Sequence, residues 1–251
     1  MKIEIAISCS WFQRRLCWML SSLAQQIDAP ELIVNVAYTP NNGTPTTEQV
    51  CELFRPHLNL KETIVAPEDI PFRGKVRNVQ LAASSAEWLL FSDTDMVYST
   101  YFFNDLGGML AGPLANETRC ISASRISLDK EHCKQAMSLS PETYPKIIEN
   151  AAELVAKFPV NRGQGNGVRQ NGMTRNVGAG YFQLANVTNL RTNHKGIYWD
   201  SQGRRDPSWG YRSDRQFRRR IGGICPITTL PQYHLNHERD SEEGRHVEMQ
   251  R

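Results

Sequence analysis

Long apolar runs are missing from this 251-residue sequence. None approaches the roughly 20 consecutive residues of a membrane-spanning helix, so no transmembrane segment is expected. The six cysteines, Cys9, Cys17, Cys51, Cys120, Cys133 and Cys225, form no C-x-x-C pair. Zinc-finger spacing is therefore absent, a disulfide framework is not expected, and the thiols read as reduced and mostly buried. Charge of one sign is scarce too, with 29 basic residues against 26 acidic ones and a formal net charge of +3. That balance gives no support to nucleic-acid binding by itself. The start, Met1-Lys2-Ile3-Glu4-Ile5-Ala6-Ile7, lacks the basic-then-apolar layout of a secretory signal and alternates like a strand. A cytoplasmic location is the expectation, unless a targeting segment lies outside this sequence.

Apolar residues make up 40% and charged residues 22%, an ordinary soluble composition. The length suits one large α/β domain or two small ones. Basic residues gather late, in Arg204-Arg205, Arg212, Arg215 and Arg218-Arg219-Arg220. Such a wall suits an anionic ligand such as a diphosphate. A solvated helix face is the competing reading of Arg218 to Arg220.

Strand and helix patterns alternate up to about Asp95. Strands are expected over 2–9, 31–38, 61–65 and 87–92, and helices over 12–26, 46–54 and 74–85. Thr44 or Thr46 serves as the cap of the second helix. This alternation implies a parallel sheet with helices on both faces and ligands beyond the carboxyl ends of its strands. Further on, 101–111 and 141–158 read as helices, and 119–126 and 225–230 as strands. The Gly/Asn-rich stretch 161–176 cannot bury much apolar surface and reads as a loop, either a lid or disordered.

The apolar strand ending in Phe91-Ser92 runs straight into Asp93-Thr94-Asp95. In an extended chain Asp93 and Asp95 share a face, and paired carboxylates suit a hard divalent ion, Mn²⁺ or Mg²⁺. A solvated acidic turn is the plain alternative. Ahead of the strand stands Arg73-Gly74-Lys75-Val76-Arg77-Asn78, opening the preceding helix, whose free N–H groups suit phosphate.

Gly74, Arg77, Asn78 and Asp93-Thr94-Asp95, in this order, resemble the family 2 glycosyltransferases and their relatives. There a Gly, an Arg-Asn pair, a helix and a strand lead to Asp-x-Asp. Ser8 and Ser10 after the first strand, and the helix carrying Arg14, Leu16, Leu20, Leu23 and Gln25, fit the same pattern. Val177-Gly178-Ala179-Gly180-Tyr181-Phe182-Gln183-Leu184 looks like the family's Gly-rich strand beside the donor sugar. Trp209-Gly210-Tyr211-Arg212-Ser213-Asp214-Arg215-Gln216-Phe217 resembles its Trp-Gly and acidic pair, with Ser213 where a Glu is common and one residue inserted. His237, in His-Glu-Arg-Asp, looks like the late metal-binding His of β-1,4-galactosyltransferase-type enzymes, with His234 as second choice.

The resemblance implies a single GT-A domain over 1–251, a Rossmann-like α/β fold with a mixed central sheet. Residues 1–98 would form the nucleotide half, 99–240 the acceptor half and 241–251 a tail. It implies a metal-dependent, inverting transfer of a sugar from a nucleoside diphosphate, UDP favoured, to a hydroxyl of a glycan, lipid-linked or protein acceptor. Asp214 would be the catalytic base, with Asp206 as fallback, and Asp95, Asp93 and His237 would hold Mn²⁺ or Mg²⁺. Ser8, Ser10, Arg14, Tyr38, Arg77, Asp93, Thr94, Asp95, Gly180 and Trp209 would hold the donor, with Trp199 a further aromatic surface. A nucleotidyltransferase fits less well, because Cys9-Ser10-Trp11-Phe12-Gln13-Arg14-Arg15 contains no phosphate-loop Gly. A carbohydrate- or nucleotide-sugar-binding protein that has lost catalysis is kept open by Ser213.

Overall fold

The computed structural model describes residues 1–41, 43–137, 145–160, 182–193, 217, 220–230 and 232–236. The first part runs β1 (Lys2–Ser8), α1 (Gln13–Ala24), β2 (Glu31–Tyr38), α2 (Thr47–Phe54), β3 (Leu60–Ile64), α3 (Arg73–Ala83) and β4 (Trp88–Ser92). It continues through β5 (Met96–Tyr98), α4 (Phe102–Ala111), β6 (Cys120–Ala123), β7 (Ile126–Ser127), α5 (Lys130–Met137) and α6 (Ala151–Ala156). The last elements are β8 (Phe182–Asn186), α7 (Val187–Asn193), β9 (Ile224–Ile227) and β10 (Gln232–His234).

Among the described residues seven strands form one sheet, in the order β3-β2-β1-β4-β8-β6-β9. The first four pair in parallel, as the alternating pattern implies. Beyond them β8 runs antiparallel to both β4 and β6, so the sheet is mixed, as the family resemblance implies. The far edge, β9, carries an exposed proline, Pro226, which has no N–H to offer a further strand. A second sheet of three strands, β5-β10-β7, stands beside the first.

Strand alternation sorts the core onto two faces. Ile3, Ile5 and Ile7 with Trp88 and Leu90 pack with Leu16, Leu20 and Leu23 of α1. Ala6, Leu89 and Phe91 meet Leu81, Leu190 and Phe217 in a separate cluster on the other side. Thr46 caps α2 through a capping box with Gln49. On α3, the buried Gln80 donates from Nε2 to the carbonyls of Ile7 and Asn35, at 3.1 and 3.0 Å. That side chain therefore ties the helix to β1 and β2 at once.

Three expected elements are corrected. The helix read over 141–158 is, among the described residues, confined to Ala151–Ala156. Asn150, in the left-handed region at φ 51°, separates it from the non-helical residues before it. The strand read over 119–126 divides, because β6 belongs to the large sheet and β7 to the small one. The strand read over 225–230 is shorter and shifted, to Ile224–Ile227. Among the described residues no helix is long and apolar enough to cross a membrane.

Candidate functional site

β4 is buried along its whole length, an apolar run with neighbours on both edges. After Ser92 the backbone turns through Asp93-Thr94-Asp95 and leaves as β5 into the small sheet. The acidic triplet is thus the junction between two sheets. Because it is a turn and not an extended strand, the alternation that would put both carboxylates on one face does not apply. Each carboxylate has its own surroundings.

Asp93 faces two arginines of α3. Its Oδ1 lies 3.6 Å from Arg73 Nη1 and 3.6 Å from Arg77 Nη2. The Arg77 side chain is 4% exposed, lies over the Phe91 ring at 5.6 Å, and donates to Gln183 Oε1 of β8 at 3.4 Å. Arg73 is 45% exposed. Asp95 turns the other way and is almost buried, with Oδ2 3.0 Å from His234 Nε2. The backbone reinforces that pairing, since the Leu235 N–H donates to the Asp95 carbonyl at 2.8 Å. Behind the turn, the Ser92 and Tyr98 hydroxyls share a 2.7 Å hydrogen bond. Burial, and then the nearby Asp93 and Asp95 charges, raise the Tyr98 pKa against the Ser92 bond, so the phenol stays neutral.

The Asp95–His234 geometry also fits a cation. Neighbouring ligands of an octahedral ion at about 2.1 Å stand about 3 Å apart, the separation seen here. Among the described residues no group of three or more His, Cys, Asp or Glu gathers to hold a metal. Two protein donors are nevertheless the usual supply for Mg²⁺-like ions, which complete their shell with water and substrate phosphate.

The remaining expected residues fall at several places. Ser8 ends β1, and its Oγ is buried with no hydrogen-bond partner among the described residues. Ser10 follows at the same end of the sheet, half-buried. Arg14 donates to the Met137 carbonyl at 2.8 Å and so ties α1 to the end of α5. Tyr38 is 2% exposed and its hydroxyl donates to Glu62 of β3. Thr94 is buried within the turn. Gly180, Trp199, Asp206, Trp209, Asp214, His237 and the stretch 161–176 lie outside the described residues.

Arg73, Gln183 and Tyr98 were not among the expected site residues. A glutamine inside an otherwise apolar strand was the available signal for Gln183. Arg73 had one as well, standing four residues before Arg77 and so on the same helical face. The pairing of His234 with Asp95 had none in the local sequence, since 139 residues separate them.

No protein-family model and no curated protein sequence matches the chain. Solved structures do match. The S. aureus TarS 1–349 structure in complex with UDP has a TM-score of 0.61 at 17% identity, over 95% of this chain and 61% of that one. The longer S. aureus TarS structure has a TM-score of 0.60 at 17% identity, over 93% of this chain and 36% of that one. The chain thus spans between about a third and three fifths of the length of these neighbours. At such identity the likeness shows the fold: a mixed α/β architecture of the GT-A type, as the motif order led one to expect.

Proposed function

We propose that the protein is a metal-dependent, inverting glycosyltransferase that takes a sugar from a nucleoside diphosphate, with UDP the favoured nucleotide. The observation that carries this reading is the Asp93-Thr94-Asp95 turn at the carboxyl end of β4, flanked by Arg73 and Arg77 and closed by His234. In open α/β sheets ligands bind beyond the carboxyl ends of the strands. The neighbour of the same fold that was solved with UDP supports the choice of nucleotide.

The chain's own residues divide the work. Asp95 and His234 are the donors for Mn²⁺ or Mg²⁺, with His237 as a further candidate. When bound, such an ion neutralises charge developing on the departing diphosphate. Asp93, held by the two arginines, orients the ribose or a water beside the ion. Ser8 ends β1 and Ser10 follows it, where base and ribose are bound in this type of sheet. Asp214 takes the proton of the acceptor hydroxyl, on the face of the sugar opposite the leaving group, which inverts the anomeric carbon. The acceptor is a glycan, lipid-linked or protein hydroxyl.

The test is release of UDP from a panel of UDP-sugars in the presence of Mn²⁺, with and without simple sugar acceptors. Turnover is expected, and Asp95→Ala is expected to lower it at least about a hundredfold. Donor binding without any turnover would make the protein a nucleotide-sugar binder instead.

A further inference from the structure

Two guanidiniums approach one carboxylate oxygen at the mouth of the acidic turn. Arg73 Nη1 and Arg77 Nη2 each stand 3.6 Å from Asp93 Oδ1. Taken alone, these three groups carry one net positive charge. Their surroundings differ sharply. Arg77 is enclosed, lying over Phe91 and hydrogen-bonded to Gln183 of the neighbouring strand. Swinging it outward would break its contacts with Phe91 and with the fully buried Gln183.

Arg73 is the first residue of α3, and its side chain is 45% exposed. Turning it away from Asp93 gives up one long, solvent-screened ion pair, which costs little. The start of α3 also carries no side-chain cap hydrogen bond, so the partial positive charge of an eleven-residue helix stands at the same place. An anion arriving at the turn therefore meets a mobile guanidinium backed by a helix end, with a fixed guanidinium behind it.

We propose that Arg73 is the residue that grips the anionic part of the ligand, exchanging Asp93 for a diphosphate, and that Arg77 is the buried strut keeping Asp93 in place. This assignment rests on the nucleoside-diphosphate reading above. It moves phosphate binding from the arginine that the sequence motif singles out to its neighbour one helical turn earlier.

The test is titration calorimetry of the full chain with UDP and with uridine, each with Mn²⁺ at fixed ionic strength, for wild type, Arg73→Gln and Arg77→Gln. Melting temperatures without ligand are recorded alongside. Arg73→Gln is expected to weaken UDP binding about tenfold or more through loss of a charge-assisted contact. Its uridine binding and unliganded melting temperature should stay at wild-type values. Arg77→Gln is expected to melt clearly earlier without ligand. If Arg73→Gln binds UDP within twofold of wild type, or weakens UDP and uridine equally, the assignment is overturned. An Arg77→Gln protein that melts like wild type yet loses UDP would reverse the two roles. If wild type binds no nucleoside diphosphate, the parent reading falls and takes this one with it. Wild-type binding with an indifferent Arg73→Gln overturns the assignment alone.

Discussion

The two ends of the Asp93-Thr94-Asp95 turn are held by different parts of the chain. Asp93 is gripped from α3, the helix that leads into its own strand. Asp95 is gripped from β10, 139 residues further on. On the first side the support is a helix tied down by Gln80 and packed against the large sheet through Leu81. On the second it is a three-residue strand between β5 and β7. Rigidity and adaptability therefore reside on opposite sides of the turn. Contacts between neighbouring elements form with little loop-closure entropy, whereas the late strand must be brought in from far away. The support of Asp93 belongs to the large sheet and its helix, and that of Asp95 to a small sheet completed late in the chain.

The largest expected effect breaks the Asp93 side. Arg77→Ala removes an enclosed guanidinium from Phe91, from the buried Gln183 and from Asp93, and the lost packing and charged hydrogen bond cost about 3 kcal/mol. At roughly 2–4 °C per kcal/mol in a chain of this size, calorimetry should show the melting temperature falling by about 6 °C or more. His234→Ala should cost less, about 1–3 kcal/mol. Its effect should be local, with amide exchange accelerating in β5 and in the strand that carries His234. Equal losses from both variants, or faster exchange throughout the large sheet in His234→Ala, would show that the two supports do not differ in this way.

Arg191→Ala comes next. Its Nη2 donates to the carbonyls of Leu81, Ala82 and Ser84 and so closes the last turn of α3. Loss of that cap should cost about 1 kcal/mol, read as a melting temperature lower by about 2–4 °C. The smallest effect concerns chemistry at sulfur. Burial pushes the Cys17 thiol up to about 12 and Cys133 to about 11, so neither is a thiolate at pH 8. Half-exposed Cys225 should be alkylated first when iodoacetamide labelling is followed by mass spectrometry. Labelling of Cys133 as fast as Cys225 would show that the packing around α5 opens readily.

The parts of the molecule legible in the sequence are those set by local pattern. Ile3, Ile5 and Ile7 alternate with residues of the opposite face, and Leu16, Leu20 and Leu23 recur at helical spacing, so β1 and α1 could be read directly. The placement of Asp93 at the carboxyl end of β4 could be read because an apolar strand ends on it. What could not be read depends on pairing between distant segments. Nothing near Phe182 tells that β8 runs against β4, and nothing near Gln232 tells that β10 enters between β5 and β7. Those two placements bring Gln183 to Arg77 and His234 to Asp95. The same limit hid the burial of Arg77, which lies against Gln183 of β8.

The proposed role of Asp95 and His234 is to hold the divalent cation with which a nucleoside diphosphate binds. Its most direct measurement is a thermal-shift titration of wild type and Asp95→Ala with UDP, Mn²⁺ and both together. For wild type, UDP and Mn²⁺ together at about a hundred times the dissociation constant should raise the melting temperature by about 5–10 °C. Either alone should do much less, and Asp95→Ala should lose the joint effect. A wild-type protein that no nucleoside diphosphate stabilises with any divalent ion would contradict the claim, as would an Asp95→Ala variant stabilised as strongly as wild type.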